Sequence, residues 1–262
     1  TDQHLAQCLQ AAATGKAIFC EKPVDLSLQR ARSAAGVLAK ARFFVGFNRR
    51  FDPHFRALRR KLEAGAIGSL ETLHIISHDP APPPVSYIEV SGGLFKDMTI
   101  HDFDVARWLL AEPVVEVYAM AACLVDPLIG AADDIDTAKV LLRTASGRMA
   151  LISNSRRSGY GYDQRIEAFG SGGSVRVDNL TSTTVSVWGE EGAAQAPFQN
   201  FFLERYAEAY RLEMDHFAAV LRGEEPAVGF ADGVRALELA EAAARSHATG
   251  RPVALEGGRF AH

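Results

Sequence analysis

The sequence is poor in cysteine, has no long apolar run and carries no excess of positive charge. Its three cysteines, Cys8, Cys20 and Cys123, show no C-x-x-C spacing. So sparse and odd a set argues against a disulfide framework and suits a reducing compartment, so a cytoplasmic protein is the expectation. No stretch approaches the roughly 20 apolar residues that cross a bilayer, and no signal-peptide pattern is visible, so no membrane partner is expected. Net charge is −4, with 28 Lys and Arg against 32 Asp and Glu. A nucleic-acid binder would carry a basic footprint, and no nucleic-acid partner is expected. The basic pairs Arg49-Arg50 and Arg156-Arg157 are local, and Arg59-Arg60-Lys61 reads as a solvated helix face.

What is present is a globular composition, 48% hydrophobic and 23% charged over 262 residues. That length holds one large domain or two smaller ones. The chain starts at Thr1 and runs straight into a helical pattern, which reads as a start inside a domain. Leu5, Leu9, Ala12 and Ala13 recur at helical spacing over 2–13, a short buried strand covers 16–20, a second amphipathic helix covers 26–40, and a second strand covers 42–46. Helix, strand, helix, strand is the alternation of a parallel α/β layer, and two strands read as the end of a doubly wound sheet.

After Asn48 the character changes. A helix is expected over 53–64, a strand over 70–77, a proline-rich loop over 80–84 too stiff for regular structure, and a helix over 97–110. Alternating runs at 114–122, 137–144, 148–154, 164–169, 173–177 and 183–188 follow without intervening helices, the mark of an α+β unit with a largely antiparallel sheet. Helices over 201–222 and 231–248 close the chain. On the first of these, Leu203, Tyr206, Tyr210, Met214, Phe217 and Leu221 form an apolar stripe expected to be core.

Four clusters could carry chemistry. Asp97 and His101 stand four apart on an expected helix, which puts both on one face, and a carboxylate beside an imidazole makes a usable general base. The same pair reads equally as a helix cap and a packed histidine. Gly92-Gly93 before them would let backbone approach a ligand closely. Glu21-Lys22-Pro23 follows the first strand, where ligands bind in open α/β sheets, although a loop lysine is usually just solvated. Asn48, at the second strand's end, could bond a cofactor amide or a sugar hydroxyl, and Asp52-Pro53 after it reads as a helix start. The loop Asn154 to Gln164, with Tyr160, Tyr162 and Asp163, suits a polyhydroxylated ligand or is an ordinary tyrosine-rich hairpin.

Together these pieces resemble the Gfo/Idh/MocA oxidoreductase family, and within it the inositol branch. The resemblance rests on Glu21-Lys-Pro23, Gly46-Phe-Asn-Arg-Arg-Phe-Asp52, His78-Asp-Pro-Ala-Pro-Pro-Pro84, Ser91 to Asp104, Leu124-Val-Asp-Pro127 and Ser155-Arg-Arg with Tyr160-Gly-Tyr-Asp-Gln-Arg165. It implies a fold of class α/β plus α+β: the C-terminal remnant of a Rossmann domain (1–47), then an α+β domain (48–262) with a large, mainly antiparallel open sheet. The last helices could pack back on the first part. It implies NAD as cofactor, with NADP as the alternative, a small-molecule polyol as substrate, and a homo-oligomer, tetramer or dimer, formed through the open sheet face. Lys22, Asp97 and His101 would be catalytic: His101 takes the hydroxyl proton, Asp97 orients His101, and Lys22 favours alkoxide character on the reacting oxygen. Asn48, Asp104 and Tyr160 would hold the other hydroxyls, and Thr1, His4, Glu21 and Lys22 would face the cofactor.

One departure is large. The family opens with a glycine-rich turn that binds pyrophosphate, and this chain has no G-x-G-x-x-G. Gly170-Ser-Gly-Gly173 lies between expected strands, the wrong context. The absent piece corresponds to roughly 70–80 residues, about half a doubly wound domain. Little dehydrogenase activity is therefore expected of the chain alone, and robust inositol-dependent NADH formation by it overturns that expectation. Two readings of other classes compete. One is a metal-dependent sugar hydrolase or isomerase with Asp97, His101, Asp102 and Asp104 as ligands, testable by metal analysis. The other is a non-catalytic polyol-binding or oligomerisation module, whose polyol binding would ignore NAD.

Overall fold

The computed structural model describes residues 3–256 and 259–260. Thr1, expected to face a cofactor, lies outside them. Helix α1 (His4–Ala13), strand β1 (Ile18–Cys20), helix α2 (Leu28–Leu38) and strand β2 (Phe43–Val45) come first. β1 and β2 pair in parallel, Ile18 beside Phe43 and Cys20 beside Val45. The Ser27 side chain caps α2 by accepting from the Arg30 amide. Every residue of β2 is buried, as in a strand covered on both faces. Leu5, Cys8, Ala31 and Leu38 pack around it, and Val220, Val228, Phe230, Val234 and Leu237 arrive from the far end of the chain to complete this core.

The Asp52 side chain starts helix α3 (Pro53–Glu63), accepting from the His54 and Phe55 amides at 2.9 and 3.0 Å. Then come β3 (Leu70–His78), α4 (Val85–Ser91), a π-turn over Phe95–Thr99, α5 (Ile100–Leu110), β4 (Val114–Ala122), α6 (Pro127–Ala131), β5 (Thr137–Thr144), β6 (Met149–Ser155), β7 (Asp163–Gly170) and β8 (Gly173–Val177). The hairpin β9 (Ser186–Gly189) and β10 (Gly192–Gln195) stands as its own two-stranded sheet. Helices α7 (Phe202–Arg205), α8 (Ala207–Leu221) and α9 (Phe230–Thr249) precede β11 (Val253–Glu256) and β12 (Arg259–Phe260).

The large sheet runs β12-β11-β4-β5-β6-β3-β7-β8. Only β3 with β6 is a parallel pair in it; the rest pair antiparallel, so the sheet is mainly antiparallel as the sequence implies. Strand side chains alternate faces. Val140, Leu142, Ala150 and Ile152 point into a core with Phe103 and Leu109 of α5 and Leu239 and Ala243 of α9. Leu141, Met149 and Leu151 point the other way and are exposed, as are Met120 and Phe169. No helix among the described residues is long and apolar enough to cross a membrane.

Two of the expected helices differ from the sequence reading. The helix expected over 97–110 begins as the π-turn and becomes α-helical only at Ile100. The helix expected over 201–222 breaks at Tyr206, which separates α7 from α8. The apolar stripe holds only in part: Tyr206 is buried and Tyr210 and Phe217 pack partly buried against the two cores, but Leu203, Met214 and Leu221 are exposed, and α8 also buries Ala209, Glu213 and Val220.

Candidate active site

The carboxyl ends of the parallel β1 and β2 open on one side, which is where α/β sheets bind ligands. Two residues past β1 stands Lys22. His4, at the start of α1, braces this turn with its Nδ1 donating to the Pro23 carbonyl at 2.8 Å. The Glu21 carboxylate lies over Gly46, where a Cβ would come within 3.0 Å of Glu21 Oε2. Lys22 Nζ donates to the Asp97 carbonyl at 2.5 Å and to Asp97 Oδ1 at 3.2 Å. The fold thus joins two of the sequence candidates across 75 positions.

Asp97 sits inside the π-turn, and this overturns both sequence readings of its role. It caps no helix: α5 starts from Thr99 without a side-chain cap. Nor does it bond His101. Its Oδ1 accepts from Lys22 and from the Tyr87 hydroxyl at 2.8 Å, and its Oδ2 accepts from both terminal nitrogens of Arg156 at 3.2 Å. The four-residue spacing belongs to a regular α-helix, and the wider turn changes the phase between 97 and 101. Burial pushes the Asp97 carboxyl up, but Lys22, Arg156 and the Tyr87 hydrogen bond outweigh it and hold the group below its ordinary value.

His101 presents its ring edge-on to Phe47, with centroids 6.0 Å apart. Its Nδ1 is buried and has no partner among the described residues. Burial pushes the imidazole well below its ordinary pKa, and the Lys22 and Arg49 charges push it further. The ring is therefore neutral at neutral pH, the form a base requires.

The twin arginines shortly after β2 are structural. Arg49 Nη1 pairs with Asp102 Oδ1, and its Nη2 donates to Ser77 Oγ at 3.1 Å. Asp102 also accepts from Asn154 Nδ2 at 2.8 Å. Arg50 grips Asp104 with two bonds of 2.8 and 2.6 Å and reaches Asp232 at 2.9 Å. Asp104 is fully buried, so its expected role in binding substrate hydroxyls is wrong: a guanidinium occupies its oxygens. The same pairs take Asp102 and Asp104 away from the metal-ligand reading, and no group of three or more candidate ligands exists among the described residues.

Asn48 is buried, and its Nδ2 has no partner among the described residues. Tyr160 is half exposed on the loop between β6 and β7. Its hydroxyl donates to Asp163 Oδ2 at 2.8 Å, and no hydrogen bond joins it to Lys22 or Asp97. Gly92 and Gly93 have left-handed backbones, but side chains crowd them rather than a ligand: a Cβ would lie 2.6 Å from Leu26 Cδ2 or 2.9 Å from Asp134 Oδ1. Three groups at the site escaped the sequence reading: Tyr87, Arg156 and Asp79. Burial raises Asp79 to about 6 against the pull of Arg156 and Arg49. No local signal marks Tyr87; Asp79 and Arg156 lie within the family-like segments His78 to Pro84 and Ser155 to Arg165, but their partners are distant in sequence.

The GFO/IDH/MocA C-terminal domain model matches residues 55–176. The inositol 2-dehydrogenase of Rhizobium meliloti (strain 1021) is 50% identical over 258 residues, which span 97% of this chain and 78% of that protein. The chain belongs to the Gfo/Idh/MocA oxidoreductase family. Among solved structures, a myo-inositol dehydrogenase from Corynebacterium glutamicum ATCC 13032 superposes with a TM-score of 0.92 at 44% identity, covering 97% of this chain and 77% of that one. A scyllo-inositol dehydrogenase from Lactobacillus casei, solved with NAD(H) and scyllo-inositol, superposes with a TM-score of 0.87 at 28% identity, over 96% and 76% of the two chains.

Proposed function

We propose that this family member is an NAD-dependent dehydrogenase that oxidises one secondary hydroxyl of a cyclic polyol, myo-inositol, to the ketone. The observation that carries it is Lys22, bonded to Asp97 just past the carboxyl end of β1, with its charge reaching a buried, neutral His101. The relatives named above are inositol dehydrogenases, one of them solved with NAD(H) and scyllo-inositol.

The residues fit a nicotinamide. Asn48 Nδ2 is a buried donor without an acceptor, and a carboxamide supplies one. Asn48, Glu21 and His4 would hold this end of the cofactor, with residues 1–47 as the nucleotide side and 48–262 as the substrate side. Bound NAD would supply the hydride acceptor. The chain's own residues do the rest. His101 takes the hydroxyl proton as the C–H electron pair leaves and C=O forms. Lys22 donates to the oxygen as negative charge develops on it. Asp97 balances the Lys22 charge, and Tyr160 contacts a remoter hydroxyl.

Calorimetry with myo-inositol, run with and without a large excess of NAD, tests this reading beside NADH absorbance. Inositol binding strengthened by NAD is expected. Binding indifferent to NAD, with no reduction, overturns it in favour of a polyol-binding module.

We further infer a cytoplasmic homo-oligomer, a tetramer or dimer, assembled through the open sheet face. Met120, Leu141, Met149, Leu151 and Phe169 are 39–63% exposed there, and Leu141 pairs directly with Leu151. Contiguous apolar patches of this kind mark interfaces. Leu141→Lys combined with Leu151→Lys is expected to yield monomers in sedimentation, and an unchanged assembly refutes the assignment.

A further inference from the structure

Arg156 stands directly after β6, and its side chain is 1% exposed. A cation so far from water must be compensated where it stands. Its backbone is fixed first: the Arg156 amide donates to the Asp136 carbonyl at 2.8 Å. Asp136 is itself fully buried and accepts from the Leu124, Val125 and Asp126 amides. From this anchor both terminal nitrogens reach Asp97 Oδ2, and Nη2 lies 3.9 Å from Asp134 Oδ2. Asp134 in turn accepts from the Leu94 amide at 3.1 Å, immediately before the π-turn. Arg156 therefore reaches the π-turn at two places, directly at Asp97 and through Asp134 at its start.

We propose that Arg156 is the positioning residue of the polyol site, its buried guanidinium anchoring the Asp97 carboxylate and, through it, the Lys22 ammonium. The proposal rests on the roles given above to Lys22 and Asp97. A lysine is a flexible four-carbon arm, and a carboxylate held by it alone would wander with it. A guanidinium fork projecting from a strand end has a fixed direction, and both of its terminal N–H groups converge on one oxygen. The other oxygen is then left for Lys22 and Tyr87. The anchor also explains why Asp97 does not turn to His101. The charged and titratable groups around this cluster are Lys22 after β1, Asp79 after β3, Tyr87 on α4, His101 and Asp102 on α5, Asp134 before β5, and Arg49 on the turn after β2. Arg156 is second only to Lys22 among the charges holding Asp97 ionised.

The test compares Arg156→Met, which removes the charge, with Arg156→Lys, which keeps the charge and loses the fork. Arg157→Met, at the exposed neighbour, is the control. Titration of the Asp97 carboxyl by NMR is the first readout. Its midpoint is expected to rise by about one pH unit in Arg156→Met, a tenfold change in proton affinity, and to stay near wild type in Arg156→Lys and Arg157→Met. The second readout is turnover: kcat falls in both Arg156 variants while KM for the polyol moves little, because the loss is of alignment. An unmoved Asp97 midpoint in Arg156→Met, or an equal shift in Arg157→Met, overturns the proposal. If Arg156→Met does not fold, Arg156→Lys decides: wild-type kcat overturns the anchor, and a lowered kcat at constant KM supports it. A wild-type protein that neither binds inositol nor reduces NAD sinks the functional reading, and the Asp97 titration still judges Arg156.

Discussion

Lys22→Met is expected to lower kcat/KM for the polyol by about a hundred- to a thousandfold, the size of effect seen when one preorganised donor to a developing oxyanion is lost. The side chain loses its charge and its ammonium but keeps most of its length. Two consequences separate this from general damage. Asp97 keeps Arg156 and Tyr87, so the π-turn holds and thermal stability changes little. His101, however, loses the stronger of the two charges depressing it. A base works in its neutral form, so activity is full above the His101 pKa and is lost as pH falls through it. In the wild type that loss lies well below the ordinary histidine range. In Lys22→Met it moves to higher pH. Variant and wild type are compared at high protein concentration and saturating NAD. A wild-type kcat/KM, or an acid limb that stays in place, removes Lys22 from the chemistry.

The second large effect is on stability. Asp52 is 1% exposed and does two things at once. One oxygen caps α3, and the other accepts from Arg205 Nη1 at 2.5 Å. Arg205 is equally buried and lies over the Phe55 and Tyr206 rings, at 5.5 and 4.8 Å. Removing one partner of such a pair leaves an uncompensated buried charge, and Asp52→Ala is expected to cost about 3–5 kcal/mol. Asp52→Asn keeps the cap, because asparagine caps as well as aspartate, and it should recover about 1 kcal/mol of that loss. Urea denaturation of the three proteins measures both. A loss in Asp52→Ala no larger than a cap alone would show that the Arg205 pair contributes nothing. The site feels this change as well, since Asp52 ends the short turn that carries Asn48 and Arg49.

Local pattern carried the sequence reading where structure is locally determined. The strands at 114–122, 137–144 and 173–177 fall where alternation places them, because one face of each meets the core. The second late helix, the α/β start and the Glu21-Lys22-Pro23 turn were equally plain. Failures came where a distant partner decides. Asp104 reads as a ligand-facing acid until Arg50, 54 positions earlier, closes on it. Asp97 and His101 look like a helical pair because spacing assumes a regular helix, and nothing local announces the wider turn at 95–99. Arg156 reads only as part of a local basic pair, because the carboxylate that compensates it lies 59 positions away. The apolar stripe on the first late helix holds in part: Tyr206, Tyr210 and Phe217 meet the cores, while Leu203, on the short helix before the break, and Met214 and Leu221 are exposed.

Helix α9 belongs to both cores: Val234 and Leu237 pack with the strands β1 and β2, while Leu239, Ala240 and Ala243 pack under the large sheet. A rod shared in this way leaves little room for a hinge. The layer of β1 and β2 cannot swing from the large sheet without dragging twenty helical residues out of one apolar bed or the other. The spacing between the end of β1 and α5 is therefore built in at folding rather than adjusted afterwards, and melting either core strips the common helix from its neighbour.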